Sequence, residues 1–154
     1  MASILAGCGS SGHKNRPADV RTVDGSGFTF AAPAGWQVRH ADGAVTAASG
    51  VELLQVTPFP LQKRYTDRLF AAVETELSAR LRVLARESGG TLSPATTVVV
   101  SGIRSHSYRI DVGDTVDQYT FVLREKREYQ LLCRRRPADP DDFCRALLSS
   151  FRLR

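Results

Sequence analysis

The sequence predicts an α+β domain, an antiparallel β-sheet packed against one long central helix and a C-terminal helix. Three observations carry that expectation. Short alternating runs punctuated by Gly, Pro and Asp-Gly fill residues 28–56 and 96–135. Between them, over 66–87, apolar residues recur at helical spacing. After Asp139 a second, shorter helical pattern closes the chain. At 154 residues the chain has room for one domain and one core, with no internal repeat.

Taken in order, Phe28-Thr29-Phe30-Ala31 alternates and stops at Pro33, which reads as a strand. Ala34-Gly35 turns into Trp36–Arg39, and Asp42-Gly43 is a hairpin signal leading to Val45–Ala48. Ser49-Gly50 turns the chain again into Val51–Val56, and Pro58-Phe59-Pro60 is expected to break that strand. Leu69, Val73, Leu77, Leu81 and Leu84 form the apolar stripe of the central helix, and Gly89-Gly90 ends it. Thr96–Val100 is β-branched throughout, as strands favour.

The clearest hairpin joins Ile103–Val112 to Thr115–Arg124 through Gly113-Asp114, a two-residue turn of type II′ character. Such a turn sets the register: Val112 faces Thr115, Tyr108 faces Tyr119 and His106 faces Phe121. One face then carries His106, Tyr108, Ile110, Tyr119, Phe121 and Leu123, the expected core side under the helices. The other carries Ser107, Arg109, Asp111, Gln118 and Thr120, expected to be solvated and free for a partner. Tyr129–Arg135 follows as a strand after a charged turn. Asp139-Pro140-Asp141-Asp142 reads as a helix start, with Asp139 as cap and Pro140 first. Phe143, Cys144, Leu147, Leu148 and Phe151 share the inward face of that helix.

Cys133 and Cys144 lie on inward faces of the last long strand and the last helix, where a returning chain can join them. The expectation is a disulfide, contributing roughly 3 kcal/mol by restricting the unfolded chain. It implies an oxidising compartment and leaves Cys8 with a separate job.

The segment Ile4-Leu5-Ala6-Gly7-Cys8, followed by Gly9-Ser10-Ser11-Gly12, resembles the lipobox of bacterial lipoproteins. The resemblance implies that Cys8 is lipidated after signal cleavage and that the Gly/Ser run is a tether. Residues 1–24 are accordingly expected to be signal remnant, lipobox and flexible linker, with the single domain at 25–154. Few residues precede Cys8 and none is Lys or Arg, so either a leader extends upstream or the start has been trimmed.

The net charge of +5 comes from 21 Lys and Arg residues, nearly all of them Arg. These are scattered over solvent positions, as a GC-rich genome writes its cations. A modestly basic surface suits anionic lipid headgroups or acidic envelope polymers. Trp36, Tyr65, Tyr108 and Tyr119 read as core or rim, which argues against a base-stacking platform and a nucleic-acid partner.

Catalytic patterns are missing. The chain has no Gly-x-Ser-x-Gly elbow, no phosphate loop and no dinucleotide fingerprint, since Gly25-Ser26-Gly27 precedes a strand where such loops follow one. His13, His40 and His106 have no catalytic neighbours in sequence, and neither His nor a third Cys stands at metal-ligand spacing. Asp111, Asp114 and Asp117 read as turn chemistry, and Arg134-Arg135-Arg136 as a solvated strand end. A non-enzyme with no metal and no cofactor is expected.

Gly27-Phe28-Thr29-Phe30 with Pro33-x-x-Trp36, the helix after Pro58-Phe59-Pro60, Gly102 before the hairpin and Leu148-x-x-Phe151 resemble the PsbP-like or Mog-like fold. Within it they resemble the LpqN-type lipoproteins of actinobacteria, over residues 26–154. The resemblance implies a PsbP-like sandwich with a binding or assembly role and no catalytic residues to carry over. The combined expectation is a monomeric bacterial lipoprotein on the extracytoplasmic face of the cell membrane. It would bind an envelope protein or cell-envelope ligand. The alternative is a cytosolic interaction domain, like relatives of the fold that bind a small GTPase. A further alternative is an enzyme whose pocket holds His106 with acidic partners.

Overall fold

The structure is a computed structural model and describes residues 19–154. The strands are β1 (Val20–Gly25), β2 (Phe28–Pro33), β3 (Gln37–Ala41), β4 (Ala44–Ser49) and β5 (Glu52–Pro60), followed by a 3-10 turn (Asp67–Leu69) and helix α1 (Phe70–Glu87). Then come β6 (Thr91–Leu92), β7 (Thr96–Val100), β8 (Ile103–Val112), β9 (Thr115–Arg124), β10 (Arg127–Arg135), helix α2 (Asp142–Ser150) and β11 (Arg152–Leu153). The expected α+β class holds: antiparallel strands, one long helix and a C-terminal helix.

An eight-stranded sheet in the order β3-β4-β5-β10-β9-β8-β6, with β7 also on β8, forms the middle layer. A three-stranded sheet, β1-β2-β11, lies with α2 on one face. Helix α1 packs on the other, over the β8–β9 half. Each face therefore has its own core. Phe28, Phe30, Val56, Leu131, Leu147 and Phe151 fill the first, with Phe28 and Phe151 stacked at 6.0 Å. Leu77, Leu81, Tyr108, Ile110 and Phe121 fill the second.

The hairpin register is the one its turn dictates: Val112 opposite Thr115, Tyr108 opposite Tyr119, His106 opposite Phe121. Gly113 takes φ 57° while Asp114 keeps a negative φ, as a type II′ turn requires.

Several expectations change. Val20–Gly25, most of which was expected to be linker, is a strand paired with β2. Cys8 lies outside the described residues. Strand β5 runs through Pro58 and Pro60, which sit opposite Tyr129 and Arg127. Pairing with β4 has ended at Val56, so the missing proline N–H costs no ladder bond on that side. The inward line of α1 is Leu77, Leu81 and Ala85, with Leu69 and Leu84 substantially exposed. Helix α2 begins at Asp142, and Asp139 instead accepts the Arg136 backbone N–H at 3.3 Å through its carboxylate.

Candidate functional site

The face read from sequence as a binding surface is largely roofed. Ser107 is 3% and Thr120 1% exposed. Their hydroxyls bond at 3.0 Å, and Gln118 donates to Ser107 at 3.3 Å. Leu131, directly across from Thr120, belongs to the core under the small sheet and α2. This corrects the solvated-face expectation: two small hydroxyls that satisfy each other can be buried at little cost. Only Arg109 and Asp111, with part of Gln118, remain at the rim. Arg109 forks onto Asp111 with Nε and Nη2 bonds of 3.0 and 2.7 Å, and this holds the Asp111 carboxyl below its usual range.

Other sequence candidates are likewise bound up within the fold. Asp117 is on the α1 face, the reverse of the face that carries Asp111, and accepts two hydrogen bonds from Arg134, each 2.7 Å long. That contact raises the Arg134 pKa. Arg135 Nη1 donates to the carbonyls of Arg136, Pro137 and Asp139, bracing the loop before α2. No cluster of three or more metal-ligating side chains occurs among the described residues.

His106 is 1% exposed and lines none of the grooves described below. Its Nε2 lies 3.0 Å from the Phe70 carbonyl, which can only accept, so Nε2 carries the proton. The Phe70 ring stacks on it at 3.8 Å, and Arg104 covers the Phe70 ring at 4.0 Å. Nδ1 has no hydrogen-bond partner, with the Glu74 carboxylate 3.5 Å away. The ring anchors the first turn of α1 to the sheet.

Open space gathers elsewhere. After β5 the chain crosses to α1 through residues 61–66. The Leu61 N–H donates to the Lys126 carbonyl at 2.8 Å and the Tyr65 N–H to the Glu125 carbonyl at 2.6 Å. This crossing is thereby pinned to the β9–β10 turn, where Glu125 adopts φ 56°, a left-handed conformation that side chains other than Gly rarely take. Between the crossing and α1 lies a groove of about 440 Å³, within the usual range for ligand sites. Leu61, Val73, Leu77 and Leu123 make its floor, with Leu69 at its mouth. At its back Arg80 meets Glu128 at 2.6 Å, with Glu128 only 7% exposed in its side chain. A second hollow of about 350 Å³ continues around Tyr65 to Arg64, Asp67 and Arg124. Burial first, then Asp67, raises the Tyr65 pKa, and Arg104 partly offsets it. A third, more polar trough of about 500 Å³ lies on the β3–β5 half that α1 leaves uncovered, over Gln37, Arg39, Thr46 and Leu53.

Sequence reasoning missed the 61–65 crossing because it belongs to no periodic element. One signal was present: Glu128 pairs with inward-facing Leu123, so an acid in that phase marks a buried ion pair.

No family model matches the chain, and no curated protein sequence does. Among solved structures it is similar to cyanobacterial PsbP (CyanoP) from Synechocystis sp. PCC 6803. The TM-score is 0.64 at 18% identity, over 97% of this chain and 99% of that one. It is also similar to a crystal structure from Bacteroides thetaiotaomicron VPI-5482. There the TM-score is 0.53 at 8% identity over 83% of this chain, which spans 45% of that protein. At these identities the likeness concerns the fold, which is PsbP-like.

Proposed function

Starting from the PsbP-like fold, we propose that this protein is a non-catalytic binding module tethered through Cys8 to the outer face of a bacterial cytoplasmic membrane, where it engages an envelope protein. The observation that carries the reading is the Cys133–Cys144 disulfide, whose Cα atoms are 5.5 Å apart. Such bonds persist in oxidising compartments and are rare in the cytosol. Two of the three cysteines account for each other, which leaves Cys8 beside Leu-Ala-Gly and a Gly/Ser run as an attachment point. The fold supports the binding role because its conspicuous titratable groups, His106 and Asp117, are committed to internal contacts.

The test is intact-mass analysis of protein isolated from its native host, with and without alkylation before reduction. A diacylglyceryl mass on Cys8 and no alkylated thiol at Cys133 or Cys144 are expected. An unmodified, uncleaved N-terminus together with two alkylated thiols would overturn the reading in favour of a cytosolic interaction domain.

A further inference from the structure

Positive charge is concentrated at one end of the large sheet. Lys63 in the crossing segment, Arg68 in the 3-10 turn, Arg104 at the start of β8, and Arg124, Lys126 and Arg127 around the β9–β10 turn are all exposed. None of these six makes an ion pair among the described residues, whereas neighbouring Arg64 and Arg80 are already paired with Glu125 and Glu128. The acids nearby without a Lys or Arg partner are Asp67, Glu74 and Glu76, so the surface keeps a positive excess. Lys63 lines the groove, Arg124 lines the adjoining hollow, the Lys126 carbonyl accepts from the Leu61 N–H and Arg104 lies over Phe70 at the start of α1, so four of these cations border the crossing, where an anionic partner would neutralise them.

The same end carries the apolar groove beside α1. Leu69 is 41% exposed at its mouth and Phe59 is 42% exposed on neighbouring β5. An anionic polymer of sugars and phosphates has no apolar group to place on a floor of Leu61, Val73 and Leu77. A flat bilayer surface cannot reach a recessed floor. A protein segment carrying both carboxylates and large apolar side chains satisfies both features at once.

We propose that the groove between α1 and residues 61–65, with its collar of free cations, is the docking site for an acidic segment of a partner protein whose apolar side chains fill the groove. The inference rests on the binding-module reading and specifies its surface and its partner's chemistry.

The test uses a random twelve-residue peptide display library, selected on the immobilised full chain and counter-selected on the variant Lys63→Glu, Arg104→Glu, Lys126→Glu. Enriched peptides should be acidic and should each carry at least two large apolar residues. Their affinity should fall at least tenfold with the charge-reversal variant. It should fall as much with Leu69→Asp, and it should weaken steadily from 50 to 500 mM salt. Leu69 is exposed, and the far-ultraviolet circular dichroism and urea midpoint of that variant should match wild type, so that lost binding does not reflect a lost helix. Inorganic polyphosphate and phosphatidylglycerol vesicles are the competing probes. The proposal is overturned if no acidic apolar peptides are enriched over the counter-selected variant. It is equally overturned if either competing probe binds and Leu69→Asp leaves that binding unchanged. Because selection uses purified protein, a failure here leaves the Cys8 tether standing. An unlipidated Cys8 leaves the groove standing.

Discussion

Breaking the Cys133–Cys144 bond should cost the domain a large fraction of its stability. The bond closes a loop between positions 11 apart. Forbidding that loop from opening in the unfolded chain contributes about 3 kcal/mol, against a total of about 5–15 for a typical domain. Both cysteines are 3% exposed and sit among Leu131, Leu147 and Phe151, so their sulfurs also contribute packing. Comparing oxidised with reduced wild type isolates the cross-link, because the side chains are otherwise unchanged. The double variant Cys133→Ala, Cys144→Ala adds the lost packing, for about 4–5 kcal/mol in all. Urea titration followed by circular dichroism should show the reduced protein losing about 3 kcal/mol, which for a domain of this size is about 10 °C in Tm. The m-value should rise on reduction, since an uncrosslinked chain exposes more surface when it unfolds. A loss below about 1 kcal/mol with an unchanged m-value would refute the loop-closure reasoning.

The other predictions concern packing and charge. Arg80→Ala strips Glu128 of its partner inside the fold and should cost about 2 kcal/mol, discounted because Arg80 itself is half exposed. Arg64→Ala, whose pair with Glu125 is open to solvent on both sides, should change urea stability by less than about 0.5 kcal/mol. Equal losses would contradict the assignment of Glu128 as the buried member. At Gly90 a Cβ would lie 2.7 Å from Val112 Cγ2, 2.8 Å from Ile110 Cγ2 and 2.9 Å from the Asp111 carbonyl oxygen. Gly90→Ala should therefore cost about 1–3 kcal/mol, and a neutral result in thermal melts would mean that α1 is free to shift away from β8. Burial is the leading cause that raises the pKa of Tyr65, Tyr108 and Tyr119. A raised folded pKa means that the contribution is complete below the ordinary tyrosine value of about 10 and is lost as pH climbs through the folded value. Urea midpoints measured from pH 8 to pH 11 should be level at first and then fall, less steeply for Tyr119→Phe. A midpoint independent of pH across that range would count against it.

Most of the fold was legible because local chemistry and global packing agree in it. Gly113-Asp114 admits one two-residue turn, and that turn fixes every cross-strand partner from Val112 back to His106. The long helix announced itself by period, and the cysteine pair by the inward phase of the two elements that carry it. What could not be read depended on layers. Strand β1 buries only Val23, so it has no alternation to recognise, and it exists because β2 needs a neighbour. A row of Ser, Arg, Asp, Gln and Thr looks solvent-facing in one hairpin. Only the second sheet and α2 turn its middle into interior, and the Ser107–Thr120 bond makes that tolerable. The groove escaped notice for a related reason: its walls come from a non-periodic crossing, one helix face and a strand, brought together only when the chain is folded.

The place where β1 joins the body has a consequence for orientation. The Asp19 carbonyl accepts from the Ala34 N–H, so the chain enters beside the start of β3, near the Gly113 end of the large sheet. Asp111, Asp114, Asp139, Asp141 and Asp142 lie toward that end, while the free cations lie around residues 124–127. Arg134 and Arg127 mark the two ends along β10, about 23 Å apart at strand spacing. Arg109, Arg134, Arg135, Arg136 and Arg145 largely offset those acids, whereas the 124–127 end keeps its positive excess, so the net charge of the domain is displaced away from the end where Asp19 enters. Under the proposed Cys8 tether, an anionic surface would attract the positive end, an attraction that falls off within about 10 Å at 0.1 M salt, so the cations face outward only where the tether holds the domain beyond that range.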